Sequence, residues 1–142
     1  MEPYKKLSRP AGGVKADEMV ATLIAEMMNA STVAHKLHLK VKGVGSYAQH
    51  MALGSFYDDV KDLADSLAEQ YQGHKLILLN IGEAPMKNFV MNDVDDCLEY
   101  LEKFYNLISE VQSVMTCSSI INEMDNIKSL TNTTKYKLKF LS

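Results

Sequence analysis

Four times along this chain, residues recur at alternating steps of four and three, most of them apolar. Val20, Ile24, Met27, Ser31, Ala34, His38 and Val41 make the first run. His50, Leu53, Tyr57, Val60, Ala64, Leu67 and Tyr71 make the second. Val94, Leu98, Leu101, Tyr105, Ile108, Gln112 and Met115 make the third, and Ile120, Met124, Ile127, Thr131, Thr134, Leu138 and Leu141 the fourth. Such spacing returns to one face of an α-helix, and a helix with one apolar stripe has to bury it against another. Four stripes in 142 residues predict an all-α, antiparallel four-helix bundle. Gly43 and Gly45 stop the first helix and Gly73 stops the second. Ser46 and Gln49 have capping-box spacing, which starts the second helix at Ser46. Asn92 caps the third, whose first turn holds Asp93, Asp95 and Asp96 at the positive end of the helix dipole. The fourth run crosses "SLTNTTK", a segment of poor helix propensity, and the periodicity carries the helix through it. Two hairpins, 14–72 and 92–141, are then joined by a long connection. In it "HKLILLN" fits a strand or a helical turn, and a short helix is expected after Pro85. Residues 14–142 form the bundle domain, and residues 1–13, with Pro3, Pro10 and a Gly pair, read as a mobile basic arm.

A chain of this length buries its own core as a single domain. It has no apolar run long enough to span a membrane and no apolar segment in "MEPYKKLSRPAGG" that would make a secretory signal. A cytoplasmic location follows as the expectation. The formal charge of −3 does not mark the whole chain as a nucleic-acid binder. The ends are more basic: Lys5, Lys6, Arg9 and Lys15 at one, Lys135, Lys137 and Lys139 at the other. Cys97 and Cys117 have no CxxC spacing and no histidine beside them, so neither a disulfide framework nor a thiol catalyst is expected. No P-loop, GxSxG or zinc-finger spacing is present.

Three of the 4 histidines crowd into residues 35–50. His38 lies on the first stripe and His50 on the second, across a tight turn, so a hairpin brings both to one end of the bundle. Two imidazoles are half of a borderline-metal site, and carboxylates would be the other half. Asp65 and Glu69 share one face of the second helix. They begin fifteen residues beyond His50, which is over ~20 Å of helical rise, so one chain cannot bring them to the histidines. A composite site needs a second copy, with two hairpins pairing across a twofold axis. His35 reads as a surface or outer residue, His74 as a cation at a helix stop, and Met19, Met27, Met28, Met51 and Met124 as core filling.

The segment "HLKVKGVGSYAQHMALGSFYDDVKDLADSLAE", residues 38–69, resembles the signature of the Dps family, the ferritin-like DNA-binding proteins from starved cells. That signature has two histidines twelve residues apart around a Val-Lys-Gly turn, closed by D-x-x-x-E. The resemblance implies a ferritin-like four-helix bundle with a long connection between helices 2 and 3. It implies metal ligands at His38 and His50 from one subunit and at Asp65 and Glu69 from its mate. It implies a hollow homo-oligomer, a dodecamer-type shell, that oxidises iron(II) and stores it. Lys5, Lys6 and Arg9 would be the contacts to DNA. Two positions depart from the pattern. Gly54 stands where the family has an acidic ligand, with Asp58 one turn further as the candidate replacement, and Leu39 stands where the family has Trp. The chain is also short, closest in look to Dps-like proteins encoded by bacteriophages, for which a host cytoplasm or a virion is the expected place. A weak ferroxidase is the first expectation. A ferritin-like scaffold kept for assembly or binding, without iron chemistry, is the second.

Overall fold

The computed structural model describes residues 11–142, and side chains from Lys15 onward. Lys5, Lys6 and Arg9 lie outside the described residues. Four helices follow in order: α1 (Ala11–His38), α2 (Ser46–Lys75), α3 (Val94–Gln112) and α4 (Ser118–Phe140). No strand occurs among the described residues. α1 begins inside the arm expected over residues 1–13. α1 and α4 each pack against both α2 and α3, which encloses one core. No helix is long and apolar enough to cross a membrane among the described residues.

The stripes of α2 and α4 are those the spacing predicts. On α4, Ile120, Met124, Ile127, Thr131, Thr134 and Leu138 are all buried, and only Leu141 falls outside. The threonines fit a helix interior because their hydroxyls turn back on it. Thr131 donates to the Ile127 carbonyl and Thr134 to the Leu130 carbonyl, each at 2.8 Å. On α2, Leu53, Val60, Ala64, Leu67 and Tyr71 are buried together with Ala52 and Phe56, while His50 and Tyr57 lie at the stripe's edge. The stripe of α1 is wider than expected and centres on Leu23, Met27, Ala30 and Leu37, which moves Ser31 and His38 to its margin; α1 ends at His38, ahead of Gly43, so Val41 lies beyond the helix. α3 buries Cys97, Tyr100, Leu101, Phe104, Ile108 and Val111, so Leu98 and Tyr105 are only half-buried. Both registers step by four and three. The bulk of Tyr100 and Phe104, which stack at 6.1 Å, selects the one that fills the core.

The helix ends differ in detail. Gly45, with φ 81°, takes the N-cap of α2, and its carbonyl receives the Gln49 amide, so no Ser46–Gln49 capping box forms. α2 passes through Gly73 and stops at Leu76, which adopts a left-handed φ of 54°. Asp93 caps α3 rather than Asn92. It accepts the Asp96 amide at 2.9 Å, and Asp96 accepts the Asn92 amide at 2.8 Å. Residues 76–93 contain neither helix nor strand, and only turns follow Pro85. One buried carboxylate holds this connection. Glu26 is fully buried and accepts the Met86 amide at 2.7 Å, the Asn29 side-chain amide at 2.9 Å and the Tyr100 hydroxyl. Burial, and then the neighbouring Glu26 charge, push the Tyr100 hydroxyl's pKa far up.

Candidate metal centre

α1 and α2 meet in a single register. Asp17 accepts from the Tyr71 hydroxyl at 2.5 Å, Ser31 donates to the Tyr57 carbonyl at 2.8 Å, and the His38 ring contacts His50. In each pair the two residue numbers total 88, so any α1 position can be matched to its level on α2. The tight turn that closes this hairpin needs left-handed backbone at Gly43 (φ 91°) and Gly45 (φ 81°).

At that turn the two imidazoles lock each other. Their rings stack with centroids 3.6 Å apart and planes 18° from parallel. His38 Nδ1 lies 2.7 Å from the His50 carbonyl, and His50 Nδ1 lies 2.9 Å from the His38 carbonyl. A carbonyl only accepts, so each Nδ1 carries the hydrogen. In the neutral rings both Nε2 atoms therefore keep their lone pairs. Metal-ligating histidines are commonly held in this way, with the second ring nitrogen donating to a carbonyl that fixes tautomer and orientation. Tyr57 extends the ring cluster: it packs edge-on to His38 at 5.2 Å and stacks on His35 at 4.1 Å. His35 is thus an exposed residue supported by a ring, as its position outside the stripe suggested.

Gly54 has a packing reason. A Cβ there would stand 3.3 Å from His38 Cε1 and 3.5 Å from its Nδ1, so the missing side chain makes room for the clamped ring. The same closeness means that a side chain at position 54 would lie against the His38 imidazole. The signal was present in the sequence, since Gly54 is one turn after His50 and shares its face.

The carboxylates are elsewhere within one chain. Asp58, Asp65 and Glu69 are all exposed on α2. By the register, Asp65 is level with Leu23, about 22 Å of rise from His50, and Glu69 is level with Met19, about 28 Å away. Asp58 is about 12 Å of rise from His50, level with Ala30. Among the described residues, no three or more His, Cys, Asp or Glu side chains gather to hold a metal. Asp65 instead lines an open groove on the outer face of the hairpin with Met28, Thr32, His35, Lys36, Leu39 and Lys61. Met28 and Leu39 are exposed there, and Leu39, where the resembled family has Trp, is 72% exposed.

A family profile matches residues 38–138, which is well over half of the chain and opens on His38. The chain belongs to the DUF5856 family. DUF5856 is described as a family of unknown function. The matched span takes in the histidine clamp, Gly54, Asp58, Asp65 and Glu69. No curated protein and no solved structure matches the chain.

Proposed function

We propose that this DUF5856 protein is a Dps-like, iron-binding homo-oligomer, a ferritin-like antiparallel bundle whose metal centres are completed between two copies. The observation that carries this reading is the reciprocal His38–His50 clamp, which fixes both tautomers and leaves two imidazole lone pairs for a metal. The shared register of α1 and α2 supports the twofold partner. If His50 meets Asp65 of a second copy, the axis lies midway between those levels, beside Asp58 on α2 and Ser31 on α1. That placement sets Lys36 opposite the second copy's stretch between Asp62 and Asp65, and Lys40 opposite the stretch between Asp65 and Glu69. Lys36 and Lys40 then face acidic stretches of the second copy, and exposed Met28, Leu39 and Met51 gain cover.

Iron(II) is the substrate in this reading. Each ion gives up one electron, and a peroxide molecule takes two electrons and two protons to become two waters. The chain's part is to hold the ion: His38 and His50 supply nitrogen donors, and Asp65 and Glu69 of the second copy supply oxygen donors. Gly54 removes one acidic ligand, so a second ion at the same centre is held weakly. The storage shell and any contact of Lys5, Lys6 and Arg9 with DNA belong to the same reading.

The test is iron per chain after anaerobic iron(II) loading and desalting, measured by elemental analysis. One or two irons per chain, lost in His38→Ala/His50→Ala while the oligomer persists, is the expected result. No retained iron in the unmodified protein would leave the second reading, a ferritin-like scaffold for assembly alone. That reading draws on Gly54, which gives the space of a ligand to the His38 ring.

A further inference from the structure

The turn between α1 and α2 ends the bundle in an apolar tip. Val44 stands between Gly43 and Gly45 and is 104% exposed, so its side chain projects clear of the fold. Tyr47, in the first turn of α2, is 76% exposed. The end of α4 arrives at the same place, since a Cβ on Gly45 would stand 2.7 Å from the main chain of Ser142. It brings Phe140, 70% exposed, and Leu141, exposed as well. Large apolar side chains gathered in the open at one end of a fold mark a contact surface.

The charge around this tip is one-sided, although the chain as a whole is acidic. Residues 27–57 contain no Asp or Glu and hold Lys36, Lys40 and Lys42. Residues 126–142 contain none either and hold Lys128, Lys135, Lys137 and Lys139. The two stretches meet at the tip, where Lys40, Lys42 and Lys139 line one cleft. Lys40, Lys42, Lys137 and Lys139 are exposed, and none of them forms an ion pair among the described residues. The carboxylates of this end belong to α3. Asp93 and Asp96 accept main-chain amides at the start of that helix, and Glu102 pairs with Lys135. Asp95 and Glu99 are left exposed beside the four lysines.

The shape and the charge together identify what covers the tip. A groove receives a partner's side chain, whereas a projecting apolar tip has to enter a soft phase. Apolar side chains dip into the boundary between headgroups and acyl chains while lysines stay at the charged surface, and a tyrosine suits the border between them. We propose that this end of the bundle docks on the surface of an anionic lipid bilayer, with Val44, Tyr47, Phe140 and Leu141 entering the interface and Lys40, Lys42, Lys137 and Lys139 meeting the headgroup charges. A nucleic-acid backbone offers phosphates to the same lysines but no apolar surface to Val44 and Leu141. The contact lies on the surface without crossing the bilayer, and it does not depend on metal binding.

Sedimentation of the full-length protein with lipid vesicles tests it. At low salt the protein should pellet with phosphatidylcholine vesicles that contain phosphatidylglycerol and not with phosphatidylcholine alone, and it should release as salt rises. Lys40→Glu/Lys42→Glu and Lys137→Glu/Lys139→Glu should each weaken binding ~25-fold or more, at about fivefold per lysine lost near such a surface. Lys15→Glu/Lys103→Glu makes the same change of charge away from the tip and should stay within about twofold of the unmodified protein. Val44→Ser removes apolar area without adding charge and should weaken binding about tenfold, with helical circular dichroism unchanged. The chain has no Trp, so Val44→Trp places a single reporter at the tip, and its emission should shift to the blue on the anionic vesicles. No pelleting with the phosphatidylglycerol vesicles at low salt, an unshifted emission, or an equal loss in Lys15→Glu/Lys103→Glu would overturn the proposal. Retention of a DNA duplex without vesicle binding would overturn it in favour of a nucleic-acid contact.

Discussion

Replacing Glu26 by alanine should be among the most damaging single changes in this protein. The carboxylate is fully buried, and its hydrogen bonds come from three elements: Asn29 of α1, Met86 of the connection and Tyr100 of α3. Alanine strands the Tyr100 hydroxyl and the Met86 amide, each at about 1–3 kcal/mol for a buried donor left unmade. Asn29 keeps the Met86 carbonyl at 3.1 Å and loses less. The sum is about 3–5 kcal/mol, a large share of the roughly 5–15 kcal/mol that holds a domain of this kind together. Glu26→Gln keeps one acceptor oxygen and should cost about half as much. Urea unfolding followed by circular dichroism gives the magnitude, because the chain has no Trp to report fluorescence. Hydrogen exchange at Met86 gives the location, since that amide should open before the helices do. A double cycle with Tyr100→Phe should be strongly non-additive, because the two side chains share one bond. A cost below ~1 kcal/mol, with Met86 exchange unchanged, would refute the view that this carboxylate pins the connection.

Gly54→Ala gains about 1 kcal/mol of helix propensity, but its Cβ meets the His38 ring at 3.3 Å. The clamp prevents that ring from yielding, so urea titration should show no net stabilisation, and NMR should show the His38 ring displaced. Gly54→Asp puts a carboxylate beside His38, and under the metal-centre reading retained iron per chain should rise above the unmodified protein in the loading assay. His50→Ala deletes the ring stacked on His38 and one of the two clamping bonds, at a cost of about 1–2 kcal/mol in chemical denaturation. The two thiols should separate under iodoacetamide. Hydrogen bonds from Ser119 and from α4 main-chain amides hold the Cys117 pKa below its ordinary value, whereas burial pushes the Cys97 thiol up to about 12. Cys117 should alkylate in the native protein as pH rises toward 8 and Cys97 only on unfolding, with mass spectrometry as the readout.

Much of the candidate centre was legible in the residues. The spacing of His38 and His50 around two glycines requires a hairpin, and a hairpin requires their meeting. The distance of Asp65 and Glu69 from that turn follows from helical rise alone. What the spacing did not reveal is how the histidines meet. The mutual Nδ1–carbonyl bonds and the ring stack depend on where main-chain carbonyls at the helix ends point. That Gly54 shares a face with His50 follows from helical spacing, but its closeness to the His38 ring depends on the lateral fit of two helices, which spacing alone does not give.

The sequence by itself determined four helices, the faces of α2 and α4, and the turn at Gly43–Gly45, because four-three spacing and glycine backbone freedom are local properties. It could not choose the register of α3. Leu98 and Tyr105, or Cys97 and Phe104, serve a four-three stripe equally well until the other three helices define a volume to fill. Nor could it place the connection 76–93. Its course is set by a carboxylate on α1 and a glutamine on α2, contacts as many as 60 residues apart in the chain. Such contacts exist only after the helices have packed, which is why the tertiary structure decided them.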